Sequence, residues 1–126
     1  EQDQGMADEY TEQIIGSAIE VHRILGPGLL EAIYEEALCH EFALRNIPFK
    51  RQMAVDIQYK GKVIRGQRID LIAYDEVVLE LKATKDLPET ATAQILSYLK
   101  ASGLKRALLI NFGAYRLADG IKRISL

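Results

Sequence analysis

The chain has 126 residues and a mass of 14.1 kDa, one domain's worth of polypeptide. Its 48% hydrophobic and 27% charged residues exclude a wholly disordered or collagen-like chain, and no apolar run approaches a membrane span. A formal net charge of −2 and a pI near 5.7 argue against a general nucleic-acid coat protein.

The five residues ahead of Met6, Glu-Gln-Asp-Gln-Gly, read as an appended tail, and the expected single domain spans residues 8–126. The first twelve residues hold five acids and no base, whereas from Phe42 onward 15 bases stand against 8 acids. The C-terminal two-thirds could therefore carry a basic face inside an acidic total, or only ordinary solvated lysines and arginines. From Glu12 to Leu25 the residues Ile14, Ile15, Ala18, Ile19, Val21, Ile24 and Leu25 recur at helical spacing, with Thr11 as the expected N-cap. Gly26-Pro27-Gly28 ends this helix. A second helix is expected from about Leu29 to Arg45, its apolar face made by Leu30, Ile33, Tyr34, Ala37, Leu38 and Phe42, with Asn46 as a left-handed cap.

Strand patterns follow. Gln52–Tyr59 alternates, Lys60-Gly61 reads as a hairpin turn, and Lys62–Gln67 returns. Arg68–Tyr74 and Val77–Ala83 read as two further strands, the second almost continuously apolar except for Glu80. Leu87-Pro88-Glu89-Thr90 opens a helix to about Ser102, which Gly103 stops. Arg106–Phe112 and Ile121–Leu126 complete the pattern. The expected order is α-α-β-β-β-β-α-β-β, an α/β domain with a mixed central sheet flanked by helices. The strand–helix–strand unit from Val77 to Phe112 should be a right-handed crossover between parallel strands.

Chemistry concentrates in Asp70, Glu80 and Lys82. A carboxylate inside the most apolar strand is expensive to desolvate unless something pairs with it. Lys82, two residues on, shares the face of Glu80. A hairpin through Asp75-Glu76 brings Asp70 opposite about residue 81. Two carboxylates and a main-chain carbonyl suit a hard cation such as Mg²⁺, and a lysine beside it can position water or stabilise charge on a phosphate. A plain ion pair between Lys82 and either acid is the alternative. Cys39, His22 and His40 are too sparse for a zinc site, and Cys39 has no partner for a disulfide. A reducing cytoplasm is the expected compartment, since no basic-then-apolar leader suggests secretion. Gly26 and Gly28 read as turn formers, Cys39 as a small core residue, and His22 as a helix-end histidine.

Asp70 followed by Glu80-Leu81-Lys82 resembles the D…E-x-K signature of the PD-(D/E)XK nuclease superfamily, with Ile69 in place of the proline. Gly28-Leu29-Leu30-Glu31-Ala32-Ile33-Tyr34 resembles the G-x-x-E-x-x-Y motif of a family within it, and Gln94-Ile95-Leu96-Ser97-Tyr98 the Q-x-x-x-Y motif of its RecB-like branch. The resemblance implies a restriction-endonuclease-like core and metal-dependent phosphodiester hydrolysis in DNA. It implies Asp70, Glu80 and the Leu81 carbonyl as ligands of Mg²⁺ or Mn²⁺, with Glu31 adding a carboxylate. Lys82 would be the catalytic lysine, with Gln94 and Tyr98 orienting it or a phosphate. Lys50, Arg51, Lys60, Lys62, Arg65, Arg68 and Lys85 are the nearest supply of phosphate contacts. Read by themselves, Glu31 is also a first-turn acid favoured by the helix dipole, Tyr34 and Tyr98 are core residues with bonded hydroxyls, and Gln94 is a surface amide. A homodimer is one route to cutting both strands. The other function class is a catalytically silent module that binds nucleic acid or a partner on the same fold.

Overall fold

A computed structural model describes the backbone of residues 4–126 and the side chains from residue 9 onward. Of the five residues read as a tail, the first three lie outside the described residues, and Gln4 and Gly5 begin a helix. That helix, α1 (Gln4–Leu25), runs through Thr11 instead of starting there. Thr11 is buried and its hydroxyl accepts a hydrogen bond from Arg123 Nη1 at 3.1 Å, so it is a tertiary contact and not a cap. The helix α2 (Glu31–Leu44) follows the Gly-Pro-Gly turn, and Asn46 takes the left-handed φ of 59° expected of it. Its buried face is Tyr34, Glu35, Leu38, Cys39 and Phe42, while Leu30 and Ile33 point to solvent. The apolar face expected from spacing is thus rotated, and a carboxylate is included in the buried one.

The strands are β1 (Phe49–Tyr59), β2 (Lys62–Ala73), β3 (Val77–Lys82), β4 (Arg106–Asn111) and β5 (Ile121–Ser125), with α3 (Ala91–Ser102) between β3 and β4. Two expected strands, Lys62–Gln67 and Arg68–Tyr74, are one continuous β2. The polar run Arg65-Gly66-Gln67-Arg68 looks like a turn but forms part of an irregularity in the β1–β2 ladder, where the register shifts between Val55 and Ile57 and Gly66 has φ 127°. The element order is therefore one strand shorter than expected, and the α/β class with a mixed sheet stands. The sheet is ordered β1-β2-β3-β4-β5, antiparallel throughout except for the parallel β3–β4 pair that α3 connects.

Helices cover both faces of the sheet. Leu79, Leu81, Leu108 and Ile110 pack with α1 and α2 through Ile14, Ala18, Tyr34, Leu38 and Phe42. Val78, Ala107, Leu109 and Ile124 pack with Ile95, Tyr98 and Leu99 of α3. The period-2 rule then sends Glu80 to the α3 face. One place breaks the rule. Leu71 packs on the α1/α2 side and Ile69 on the α3 side, although residues two apart in a regular strand share a face. Gln52, across from that point on β1, has a left-handed φ of 51°. The pleat inverts there, and Asp70 sits at the crossing between the two faces.

Candidate active site

The β2–β3 ladder pairs Ala73 with Val77, Ile72 with Val78 and Leu71 with Leu79. One step further sets Asp70 opposite Glu80, one residue from the expected register. The turn centres on Asp75 because Tyr74 and Asp75 both adopt left-handed φ values, 58° and 55°. Beyond Leu71 the two strands stop pairing. Asp70 Oδ2 instead accepts the Leu81 N–H at 2.8 Å, so a carboxylate replaces a backbone acceptor where the strands part. Leu81 therefore enters the site through its N–H.

Glu80 is 5% exposed. Its Oε2 lies 3.5 Å from Lys82 Nζ, and its Oε1 is buried with no hydrogen-bond partner among the described residues. Burial pushes the Glu80 carboxyl up to about 7, the Asp70 charge adds to the rise, and Lys82 opposes it. Asp70 is raised in the same direction, first by burial; the Leu81 N–H pulls back and Glu35 pushes up again. Glu80 and Asp70 thus repel each other across a gap that Lys82 only partly neutralises. Lys82 forms the ion pair with Glu80 that was one of the two alternatives, and one Glu80 carboxylate oxygen is still left without a partner among the described residues.

Glu31 opens α2 and is solvent-exposed at its end. Its carboxyl, partly covered at the helix end, is raised first by that partial burial and then by Asp70, while Lys82 lowers it. The motif around it has a mechanical explanation. The hydroxyl of Tyr34 donates to the Gly26 carbonyl and accepts the Leu29 N–H at 3.1 Å, which clamps the turn that starts α2. Tyr34 is fully buried and stacks on Phe112 with centroids 4.7 Å apart, as a core tyrosine with a bonded hydroxyl. His22 Nε2 donates to the Ala114 carbonyl at 2.9 Å, so it tethers a loop to α1. Cys39 is buried, with burial pushing its thiol up to about 11.

Sequence reasoning missed Glu35, Gln52 and Asn111. Glu35, one helical turn after Glu31 and largely buried, takes hydrogen bonds from Arg51 Nη2 at 3.0 Å and from Gln52 Nε2 at 3.2 Å. Gln52 also favours the charged form of Asp70, so it acts on both acids. The i, i+4 spacing of two acids on one helix was the available signal, since such a pair repels unless something lies between. Asn111 fixes the end of β3. Its Oδ1 accepts the N–H groups of Thr84 and Gly113 at 3.1 and 3.0 Å, and its Nδ2 donates to the Thr84 carbonyl at 2.9 Å. Phe112 N–H donates to the Lys82 carbonyl at 2.8 Å. Lys82 therefore stands on a strand end held by a buried side-chain amide.

From the opposite face, α3 supplies Tyr98, which is buried. The Tyr98 phenol is raised by burial and then by the charges of Glu80 and Asp70. Gln94 is exposed. The inverted pleat at Asp70 explains how this carboxylate feels charge from Glu35 of α2 and raises the phenol of Tyr98 of α3, on opposite sides of the sheet.

A family model described as the PD-(D/E)XK nuclease superfamily matches residues 8–124. The chain belongs to that superfamily. Searches of curated proteins and of solved structures returned no match. Nucleases of this superfamily generally use divalent metals, and membership implies binding of nucleic acid. No helix among the described residues is long and apolar enough to cross a membrane. The side chains fit a hard cation in one specific respect: Glu80 has a buried, partnerless oxygen and feels the charge of a second carboxylate, Asp70, in an all-oxygen donor set. Among the described residues no three His, Cys, Asp or Glu side chains converge as ligands, so two acids and a carbonyl would leave the remaining positions to water.

Proposed function

We propose that the chain is a metal-dependent nuclease that hydrolyses phosphodiester bonds in DNA. The observation that carries this reading is the buried Glu80 carboxylate opposite Asp70, with one oxygen unpartnered and Lys82 at 3.5 Å. Asp70, Glu80 and the Leu81 carbonyl would hold Mg²⁺ or Mn²⁺, with Glu31 adding its carboxylate to the ion or its waters. When bound, a divalent cation supplies Lewis-acid polarisation of the phosphate and a lowered pKa for the attacking water. Lys82 provides a fixed positive charge for the phosphate oxygens, and its strand end is held by Asn111. Gln94 and Tyr98 bound the site on the α3 side and orient Lys82 or a phosphate. The Gly28–Tyr34 and Gln94–Tyr98 motifs support placement in the G-x-x-E-x-x-Y family and its RecB-like branch. Cytoplasmic action on DNA is consistent with the lone buried Cys39.

The second reading, a silent binding module, draws on the lack of a three-acid cluster among the described residues. One pair of measurements separates the two. Calorimetric titration of Mn²⁺ should show binding to the wild type that is lost in Asp70→Ala/Glu80→Ala. Cleavage of a labelled oligonucleotide should fall by about 10²-fold or more in Lys82→Ala. Metal binding absent from the wild type, with duplex and with single strand alike, together with no cleavage, would leave the binding module as the function.

A further inference from the structure

β1 and β2 outrun the rest of the sheet. Only Leu71–Ala73 of β2 pair with β3, whereas β1 and β2 stay paired out to Tyr59 and Lys62. The segments 53–59 and 62–69 therefore form a two-stranded ribbon whose tip is the Lys60-Gly61 turn, with φ values of 47° and 83°. Met53, Val55 and Ile69 anchor its base against the α3 core. Its far half is exposed and apolar, with Tyr59 57%, Val63 43% and Ile64 42% accessible. A bare ribbon with two unpaired edges is marginally stable in water and invites a partner.

The charge says which partner. Residues 53–69 hold Lys60, Lys62, Arg65 and Arg68 against the single acid Asp56. By the ladder, Lys62 shares a face with Tyr59, Arg65 lies on the opposite face, and Lys60 is at the tip. Among the described residues none forms a salt bridge with Lys60, Lys62 or Arg65, while Arg68 donates to the Gln52 carbonyl at the ribbon's base. Positive charge on both faces and the tip suits a polyanion that surrounds the ribbon. A two-stranded ribbon fits the major groove of B-form DNA, roughly 12 Å wide, and is excluded from the deep, narrow groove of an A-form duplex.

We infer that the β1–β2 ribbon enters the major groove of B-form duplex DNA, with Lys60, Lys62 and Arg65 on the flanking phosphates and Asp70 at its base. The choice of nucleic acid as ligand rests on the reading above; the duplex form and the residues that grip it come from the ribbon. Eight residues separate Lys62 from Asp70. At about 3.3 Å per residue the grip reaches about 26 Å from the site, about 8 base pairs along the duplex.

The test is fluorescence anisotropy with a labelled 24-base-pair DNA duplex in EDTA, titrated at several salt concentrations. The variant Lys60→Gln/Lys62→Gln/Arg65→Gln is compared with Lys105→Gln/Arg116→Gln/Lys122→Gln, which removes equal charge from exposed positions outside the ribbon. The ribbon variant should bind roughly 10–100-fold more weakly than wild type at 0.15 M salt, with a log–log salt slope smaller by about 2.5, and the other should lose far less. An RNA duplex of the same sequence should bind wild type at least about 10-fold more weakly. Equal losses in the two variants, equal binding of the RNA duplex, or no duplex binding by wild type would each overturn the inference. So would a ribbon variant that changes sedimentation mass and leaves DNA affinity intact, since that marks an interface between copies. None of these outcomes touches the Mn²⁺ titration, which judges the metal-dependent reading separately.

Discussion

At the scale of single residues, Glu80 carries an energetic burden that pH can expose. Its folded-state pKa of about 7 lies above the ordinary 4.5 of a glutamate, so the native state binds the proton more tightly than the unfolded state does. Native stability is then undiminished below pH 4.5, falls as the pH rises through the interval to 7, and is lowest above it. Glu80→Gln removes the charge with little change of shape. Without metal it should raise the melting temperature at pH 8 by roughly 5 °C and leave it nearly unchanged at pH 4. Added Mn²⁺ should raise the melting temperature of wild type at pH 8 and not that of the variant. A variant no more stable than wild type at pH 8 would mean that the Lys82 pair already offsets the burial of Glu80.

At the scale of elements, the junction between β3 and β4 decides where Lys82 stands. Asn111 occupies three backbone groups there, all part-buried. Asn111→Ala leaves them without partners and should destabilise the fold by roughly 2–4 kcal/mol in urea denaturation. Gly113 is the second lock. A Cβ there would clash with the Thr84 carbonyl oxygen, a backbone atom that cannot swing away. Gly113→Ala should therefore destabilise by a similar amount, and a hydrolytic activity should fall with it because Thr84 follows the site strand by two residues. Gly103→Ala is the comparison: its φ of 79° strains any other residue, yet its surroundings are open, so it should cost about 1 kcal/mol and spare the site.

The elements also show what the sequence made legible. The strand with Glu80 and Lys82, the α3 crossover and the Gly103 stop follow from local periodicity and turn chemistry, and the structure places them as expected. The acids Asp70 and Glu80 could be brought together by counting through one turn, with an error of one residue set by the left-handed pair Tyr74-Asp75. Thr11 does not cap α1 because the helix extends upstream on largely polar residues, where no apolar stripe marks it. Gln52 could not be seen at all. A left-handed glutamine inside a strand has no local sequence signature of the kind Asn46 carries after a helix, and its consequence, the inverted pleat at Asp70, is a property of two strands together. Asn111 and Glu35 act through partners 27 and 16 residues away, beyond any periodicity.

At the scale of the whole molecule, the described fold offers one carboxylate pair beside one lysine, with one ribbon leading to it. A duplex presents two antiparallel backbones whose scissile phosphates face in different directions. On the proposed reading, a single site held in one orientation by the ribbon would meet only one of them per encounter. On that reading, cutting both strands in one event would call for a second copy, as a two-fold dimer with both ribbons on the same duplex would supply. A lone chain must release and rebind in the opposite sense. The course of supercoiled plasmid cleavage distinguishes these cases. On the nuclease reading, a lone chain should accumulate open circles well before linear product, and linear DNA should form at a rate that does not rise with the square of protein concentration. Direct conversion of supercoil to linear DNA, with a steep concentration dependence, would show that two copies cut together and that the single chain is half of the working enzyme.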